Sequence, residues 1–166
     1  MQTIAAIATP HGKGGIAVIR VSGDRAFAVA DAVFRAKSGK RIREISPRSA
    51  VYGEILDPRT GETLDSGVCT AFFAPHSYTG EDTVELSCHG GTFVTTAVLS
   101  ACFAAGAVQA GPGEFTKRAF LSGKLSLTEA EAVGLLIDAD TEEKRKLSTS
   151  AVRGVTSRAI AALDEG

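Results

Sequence analysis

Three charged residues stand where charge is costly. Arg20 interrupts the apolar run Ile16-Ala17-Val18-Ile19-Arg20-Val21, Glu85 interrupts Thr83-Val84-Glu85-Leu86-Ser87, and Lys124 follows Gly123 at the end of a glycine-punctuated stretch. Removing a guanidinium from water costs several kcal/mol unless it is matched. Arg20 therefore sits at a strand end, pairs with a carboxylate, or faces a ligand. Glu85 is either on the outward side of a half-exposed strand or accepts two parallel bonds from adjacent N–H donors, a bidentate match that neutral side chains make less well. Lys124, hinged on Gly123, is a surface lysine or a cation that reaches an anionic group. His89, before Gly90-Gly91, either polarises a ligand or satisfies backbone groups at a helix start. Tyr78 offers a ring for stacking or closes a loop over the core. Lys117 and Arg118 are weaker candidates, because adjacent helical charges often face water. Cys69 and Cys88 read as core packing, since nothing nearby lowers a thiol pKa.

Composition narrows the class. The chain has 166 residues, 44% of them apolar and 22% charged, which suits a folded globular protein with one core and part of a second. A net charge of -1 gives no global field to hold a polyanion. The local exception is the basic run Arg35, Lys37, Lys40, Arg41, Arg43 and Arg48, which reads as a solvated, mobile loop. Three cysteines without Cys-x-x-Cys spacing indicate a reducing, cytoplasmic setting. No His, Cys or carboxylate set has metal-ligand spacing, so no metal site is expected, and no run is long enough to span a bilayer.

The elements that must position these residues follow from periodicity. Strands are expected over residues 3–8, 16–21, 49–56, 65–73 and 83–87, with a short one near 108–110. A helix opens at Ser22-Gly23-Asp24 and runs to about Arg35. A second covers residues 92–105 with Phe93, Ala97, Val98, Leu99 and Cys102 on its apolar side, and stops at Gly106. One or two turns cover residues 114–121. Thr128-Glu129-Ala130-Glu131 has the form of a capping box for a helix to about Asp138. Asp140 or Thr141 caps a last helix with Leu147, Ala151, Val155, Ala159 and Ala162 at helical spacing, and this helix is expected to fray for want of packing partners.

The motifs themselves carry a resemblance. Thr9-Pro10, Gly14-Gly15, Ile19-Arg20-Val21-Ser22-Gly23, Tyr78-Thr79-Gly80-Glu81-Asp82, Glu85-Leu86, His89-Gly90-Gly91, Gly113-Glu114-Phe115-Thr116, Arg118-Ala119-Phe120-Leu121, Lys124-Leu125 and Glu129-Ala130-Glu131-Ala132 stand in the order found in the tRNA-modification GTPases called MnmE or TrmE. The chain resembles their N-terminal portion over essentially its whole length.

The resemblance implies an α+β fold: a mixed sheet with packed helices, similar to the tetrahydrofolate-binding domains of one-carbon enzymes. It implies a domain over residues 1–122 that binds 5-formyl-tetrahydrofolate and forms a homodimer. Residues 123–166 would be the first helices of a truncated helical domain. It places Arg20, Glu85 and Lys124 at the folate, with Tyr78 and His89 as further binding candidates and no catalytic residue. In the full-length family a GTPase domain uses GTP, magnesium and potassium, and a flavin-dependent partner protein helps modify the wobble uridine of tRNA. This chain lacks the Gly-x4-Gly-Lys-Ser/Thr phosphate loop and the family's cysteine near the C-terminus, so GTP hydrolysis is not expected of it. Two other readings are a stand-alone folate-dependent aminomethyltransferase, for which the chain is short, and a tRNA-binding module without a small ligand, which the acidic balance disfavours.

Overall fold

The computed structural model describes residues 1–10 and 12–154. The chain forms two compact units, one of residues 1–77 with 81–112 and one of residues 78–80 with the chain from Gly113 onward. The first unit holds the sheet. Its strands are β1 (Ile4–Ile7), β2 (Ile16–Ser22), β3 (Phe34–Ala36), β4 (Ala50–Leu56), β5 (Thr63–Phe72), β6 (Thr83–His89) and β7 (Val108–Gln109), in the order β3-β4-β5-β6-β2-β1-β7. All neighbours are antiparallel except β1 and β7, so the sheet is mixed and the fold is α+β.

Alternation decides which side chains enter the core. Ala17, Ile19 and Val21 of β2, Val84, Leu86 and Cys88 of β6, and Cys69 and Ala71 of β5 are buried. They belong to one cluster with α1 (Ala26–Val33), through Phe27, Ala30 and Val33, and with α2 (Thr92–Ala104), through Val98, Ala101 and Cys102. The Phe27 ring also meets Phe73, centroids 4.8 Å apart and planes tilted by 55°. Such tilted pairs add to plain area burial. Phe93, expected on the buried side of α2, is instead 87% exposed in the first turn.

The basic run is solvent-exposed and largely loop, as expected, but it includes a short strand and a pinned turn. The first helix ends at Val33, and Phe34 turns into β3, pairing Phe34 with Ile55 and Arg35 with Glu54. Phe34 is buried and its neighbour Arg35 exposed, the alternation of a strand rather than of a continuing helix. A single 3-10 turn, Ile42–Glu44, then pins the segment through buried Ile42 and Ile45.

The second unit contains α3 (Glu114–Leu121), α4 (Leu127–Ile137) and α5 (Glu142–Val152). The capping box lies two residues before the expected one. Ser126 Oγ accepts from the Glu129 amide, and the Glu129 carboxylate accepts from the Ser126 amide at 2.7 Å. A hydroxyl at 126 serves as well as one at 128, and its use starts the helix at Leu127. Thr141 caps α5 by accepting from the Lys144 amide. Leu147 on α5 is 75% exposed, while Val155, Ala159 and Ala162 lie outside the described residues.

Close approach of backbone strands fixes one position in the sheet. Gly53 and Gly67 face each other across β4 and β5. A Cβ on Gly67 would stand 2.0 Å from the Ser87 carbonyl oxygen, and one on Gly53 would stand 2.3 Å from that of Arg35. Backbone cannot swing aside as a side-chain tip can. Gly67→Ala is expected to destabilise the protein by about 1–3 kcal/mol, the usual cost of overpacking, read as a lower thermal melting temperature. Melting unchanged from the parent would mean that β5 and β6 do not approach each other in this way.

Candidate functional site

The face of the sheet opposite α1 and α2 carries the chemistry. Antiparallel pairing of β2 with β6 sets Arg20 directly across from Glu85, and β5 adds Thr70 to the same row. The next row is Val18, Ser87 and Val68. Arg20 Nε donates to Glu85 Oε1 at 2.9 Å, and a terminal guanidinium nitrogen lies 2.8 Å from the same oxygen. Each side chain keeps about a quarter of its surface, at 25% and 27%. Two of the residues expected to meet a ligand are thus partners of each other. Both contacts converge on Oε1, and among the described residues no donor reaches Oε2. One oxygen fixes the carboxylate and the other is left as an acceptor, with the half-buried Val18 and Val68 on the next row of the sheet.

His89 ends β6 four residues beyond Glu85, about 13 Å along the strand. Its ring is 71% exposed, and Nδ1 lies 2.8 Å from Asp65 Oδ1. Asp65 Oδ2 accepts from the His89 amide, also at 2.8 Å, and Oδ1 accepts from the Ser66 amide. Burial pushes the Asp65 carboxyl up, but the bonds accepted from the His89 amide, the His89 ring and the Ser66 amide outweigh it, and the net shift is downward. Asp65 orients the imidazole and directs Nε2 outward. Sequence reasoning missed this partner, because the two residues are 24 positions apart and Asp65 reads locally as the start of a strand.

The Tyr78-Thr79-Gly80-Glu81-Asp82 motif divides between the two units. On the sheet unit, Glu81 Oε2 accepts from Ser22 Oγ at 2.8 Å, and its carbonyl accepts from Ser77 Oγ and Thr83 Oγ1. This hydroxyl network surrounds the end of β2 just after Arg20. In the second unit, Tyr78 OH lies 2.9 Å from Thr116 Oγ1, and the Thr79 carbonyl accepts from Ser122 Oγ at 2.6 Å. Gly80 has φ +79, and a Cβ there would stand 2.7 Å from Ser122 Oγ and 3.4 Å from Lys124 Cγ. Only glycine meets both conditions. Tyr78 and Lys124 are therefore brought into one unit, as Arg20 and Glu85 are in the other. Arg118 is buried and pairs with Glu114 at 2.9 Å, one turn away on α3, which is not the water-facing placement expected for it.

The cysteines are core residues. Burial pushes the thiols of Cys69 and Cys102 up to about 12 and that of Cys88 to about 11, so they remain protonated and poorly nucleophilic. Among the described residues no helix is long and apolar enough to cross a membrane.

Comparison with known proteins gives one family. The sequence pattern described as "GTP-binding protein TrmE N-terminus" matches residues 3–124. The chain is 46% identical over 159 residues to a tRNA modification GTPase MnmE of Acetivibrio thermocellus, covering 96% of this chain and 34% of that protein. It is 44% identical over 159 residues to that of Geobacillus kaustophilus, with the same coverage of each. It is 44% identical over 164 residues to that of Parabacteroides distasonis, covering 98% of this chain and 35% of the relative. The chain thus spans about a third of the length of these relatives.

The Asp65–His89 pair makes a pH-dependent prediction. A carboxyl held below its usual value of 3.8 contributes stability that is present above that pH and is lost as pH falls through the folded-state value. Asp65→Asn should melt below the parent at pH 7, and the gap should close as pH drops from 5 toward 3. A gap that stays constant over that range would show that the Asp65 charge contributes nothing.

Proposed function

The chain belongs to the TrmE N-terminus family, and from that membership we propose that it is the folate-binding and dimer-forming module of a tRNA-modification GTPase. The ligand is 5-formyl-tetrahydrofolate, which supplies a one-carbon unit. The observation that carries the reading is the Arg20–Glu85 pair, with both contacts on Oε1 and Oε2 left to accept. The amino-pyrimidine edge of a pterin offers adjacent N–H donors, and a carboxylate already held by an arginine presents its second oxygen without paying to order the side chain. Val18 and Val68, on the next row, give the ring a half-buried apolar bed. The chemistry of these residues fits the group. Arg20 holds Glu85 and turns positive charge toward ligand oxygens, and Lys124 meets the ligand's carbonyl or tail. Tyr78 and His89 are further contacts.

In the full-length protein this module would work with a GTPase domain that uses GTP, magnesium and potassium, with a flavin-dependent partner and with tRNA. The setting proposed is the cytoplasm. The homodimer forms through the sheet unit, which presents Ile16 and Phe93 at 70% and 87% exposure. Large exposed apolar side chains of this kind favour burial against a partner surface.

Calorimetric titration with 5-formyl-tetrahydrofolate tests the site. Glu85→Ala should weaken binding by about 1–3 kcal/mol, because pterin donors lose their acceptor. Lys124→Ala should cost less and lose its effect in high salt if the lysine meets a solvated tail. Arg20→Ala should weaken binding through loss of Glu85 orientation. If all three variants fold, by thermal melting, and bind as the parent does, the site is misassigned. In sedimentation at tens of micromolar the parent should run with the mass of a dimer, and a strictly monomeric mass would remove the assembly from the proposal.

A further inference from the structure

The folate reading leaves the cations at the far edge of the sheet without a role. β3 is the edge strand, and its other side is not paired within the sheet. Arg35 on β3 and Lys37, Lys40 and Arg41 just after it are exposed. Among the described residues, none of these four side chains has a carboxylate within ion-pair distance. Several arginines elsewhere are matched: Arg20 with Glu85, Arg59 with Asp57, Arg118 with Glu114, Arg145 with Glu142. The nearby carboxylates are largely occupied. Asp31 Oδ1 accepts from the Ile42 amide at 2.8 Å, Glu44 Oε2 accepts from the Arg41 amide at 2.9 Å, and Asp82 takes Arg43 at 3.5 Å and the Ala74 amide. Arg43 also lies over the Phe27 ring. Glu54 stands exposed opposite Arg35 in register and accepts no hydrogen bond among the described residues, while Asp31 and Glu44 are also exposed but accept from backbone amides.

The segment that carries them is held in place. Ile42 and Ile45 are buried, the Lys37 amide donates to the Tyr52 carbonyl, and the Arg48 amide donates to the Ala71 carbonyl. Two open cavities flank β3 and share Arg35, Ala36 and Gly39. One, of about 410 Å³, adds Lys40, Arg41 and the acidic Asp31. The other, of about 520 Å³, adds Lys37, Glu54 and Tyr52, whose side chain is in the 55%-exposed residue next to Gly53. Four unmatched cations on a fixed edge, with one exposed aromatic ring between them, suit a chain of phosphates with unstacked bases.

We propose that the β3 edge is a docking surface for the phosphodiester backbone of RNA, with Tyr52 stacking on an unpaired base. The choice of RNA over another polyanion rests on the reading of the chain as part of a tRNA-modifying protein, whereas the cation surface does not. Arg35 and Lys37 flank the Tyr52 cavity, and Lys40 and Arg41 continue the track on the other side of the strand. Glu54 and Asp31 oppose binding and, with a net charge of -1 for the whole chain, restrict it to this edge. Contact through four cations displaces about three counterions from a single strand, so the log of affinity should fall with the log of salt at a slope of about -3.

The test is fluorescence anisotropy of a labelled, unmodified tRNA transcript titrated with the 166-residue chain over a salt series. The parent should bind with that salt dependence. The double variant K37E/K40E should bind at least tenfold more weakly, with thermal melting and 5-formyl-tetrahydrofolate titration unchanged. E54Q should bind more tightly than the parent, and Y52A more weakly. Because the folate titration reads Glu85 and the anisotropy reads the β3 edge, either reading can fail alone. Equal binding by parent and K37E/K40E overturns the proposal. So does equal competition by inorganic polyphosphate with Y52A silent, which would make the edge a plain anion surface. Sedimentation of the parent with phosphatidylserine vesicles but no binding of tRNA would overturn it in favour of a membrane surface.

Discussion

The antiparallel register between β2 and β6 is the constraint on which the rest depends. Ile19 stands opposite Leu86 and Val21 opposite Val84, all four buried under the helices. Because strand side chains alternate, the same register must place Arg20 opposite Glu85 on the other face. A slip of one residue would drive the guanidinium and the carboxylate into the apolar cluster and turn Ile19 and Leu86 out. The core therefore specifies the polar pair. The pair in turn neutralises charges that would be costly to hold half-buried alone. Stability and site geometry are two consequences of one hydrogen-bond ladder.

Much of this was legible from local pattern. The alternation in Ile16–Ser22 and Thr83–His89, the hairpin around Asp57 to Glu62, and the glycine that stops α2 all use signals within a few residues. The illegible parts depend on distance. Glu85 as the partner of Arg20 is 65 residues away, and Asp65 as the partner of His89 is 24 away. Neither pairing leaves a mark in the chain near either residue. The switch from α1 to β3 at Phe34 also had no local signal, since Val33 and Phe34 suit either state. Pairing with Ile55 decided it. The choice of Ser126 over Thr128 as cap was a contest between two competent hydroxyls.

The two kinds of cation in the molecule show how position assigns a task. Arg20 is fixed by a carboxylate and fixes it in return, so its charge serves geometry. Arg35, Lys37, Lys40 and Arg41 ride on a pinned edge without such partners, so their charge is available to an outside anion. The first arrangement suits a small planar ligand with directed donors, and the second a repeating backbone read by charge. One sheet thus carries a central ion pair and a cationic edge separated by the intervening strands β4 and β5.

The central claim is that Glu85, held by Arg20 through Oε1, offers Oε2 to the pterin edge. A crystal structure of the chain with 5-formyl-tetrahydrofolate tests it most directly. The account predicts the amino-pyrimidine nitrogens within hydrogen-bond distance of Glu85 Oε2, with the Arg20 contact to Oε1 retained. Ligand density elsewhere, with the Arg20–Glu85 pair untouched, would contradict it.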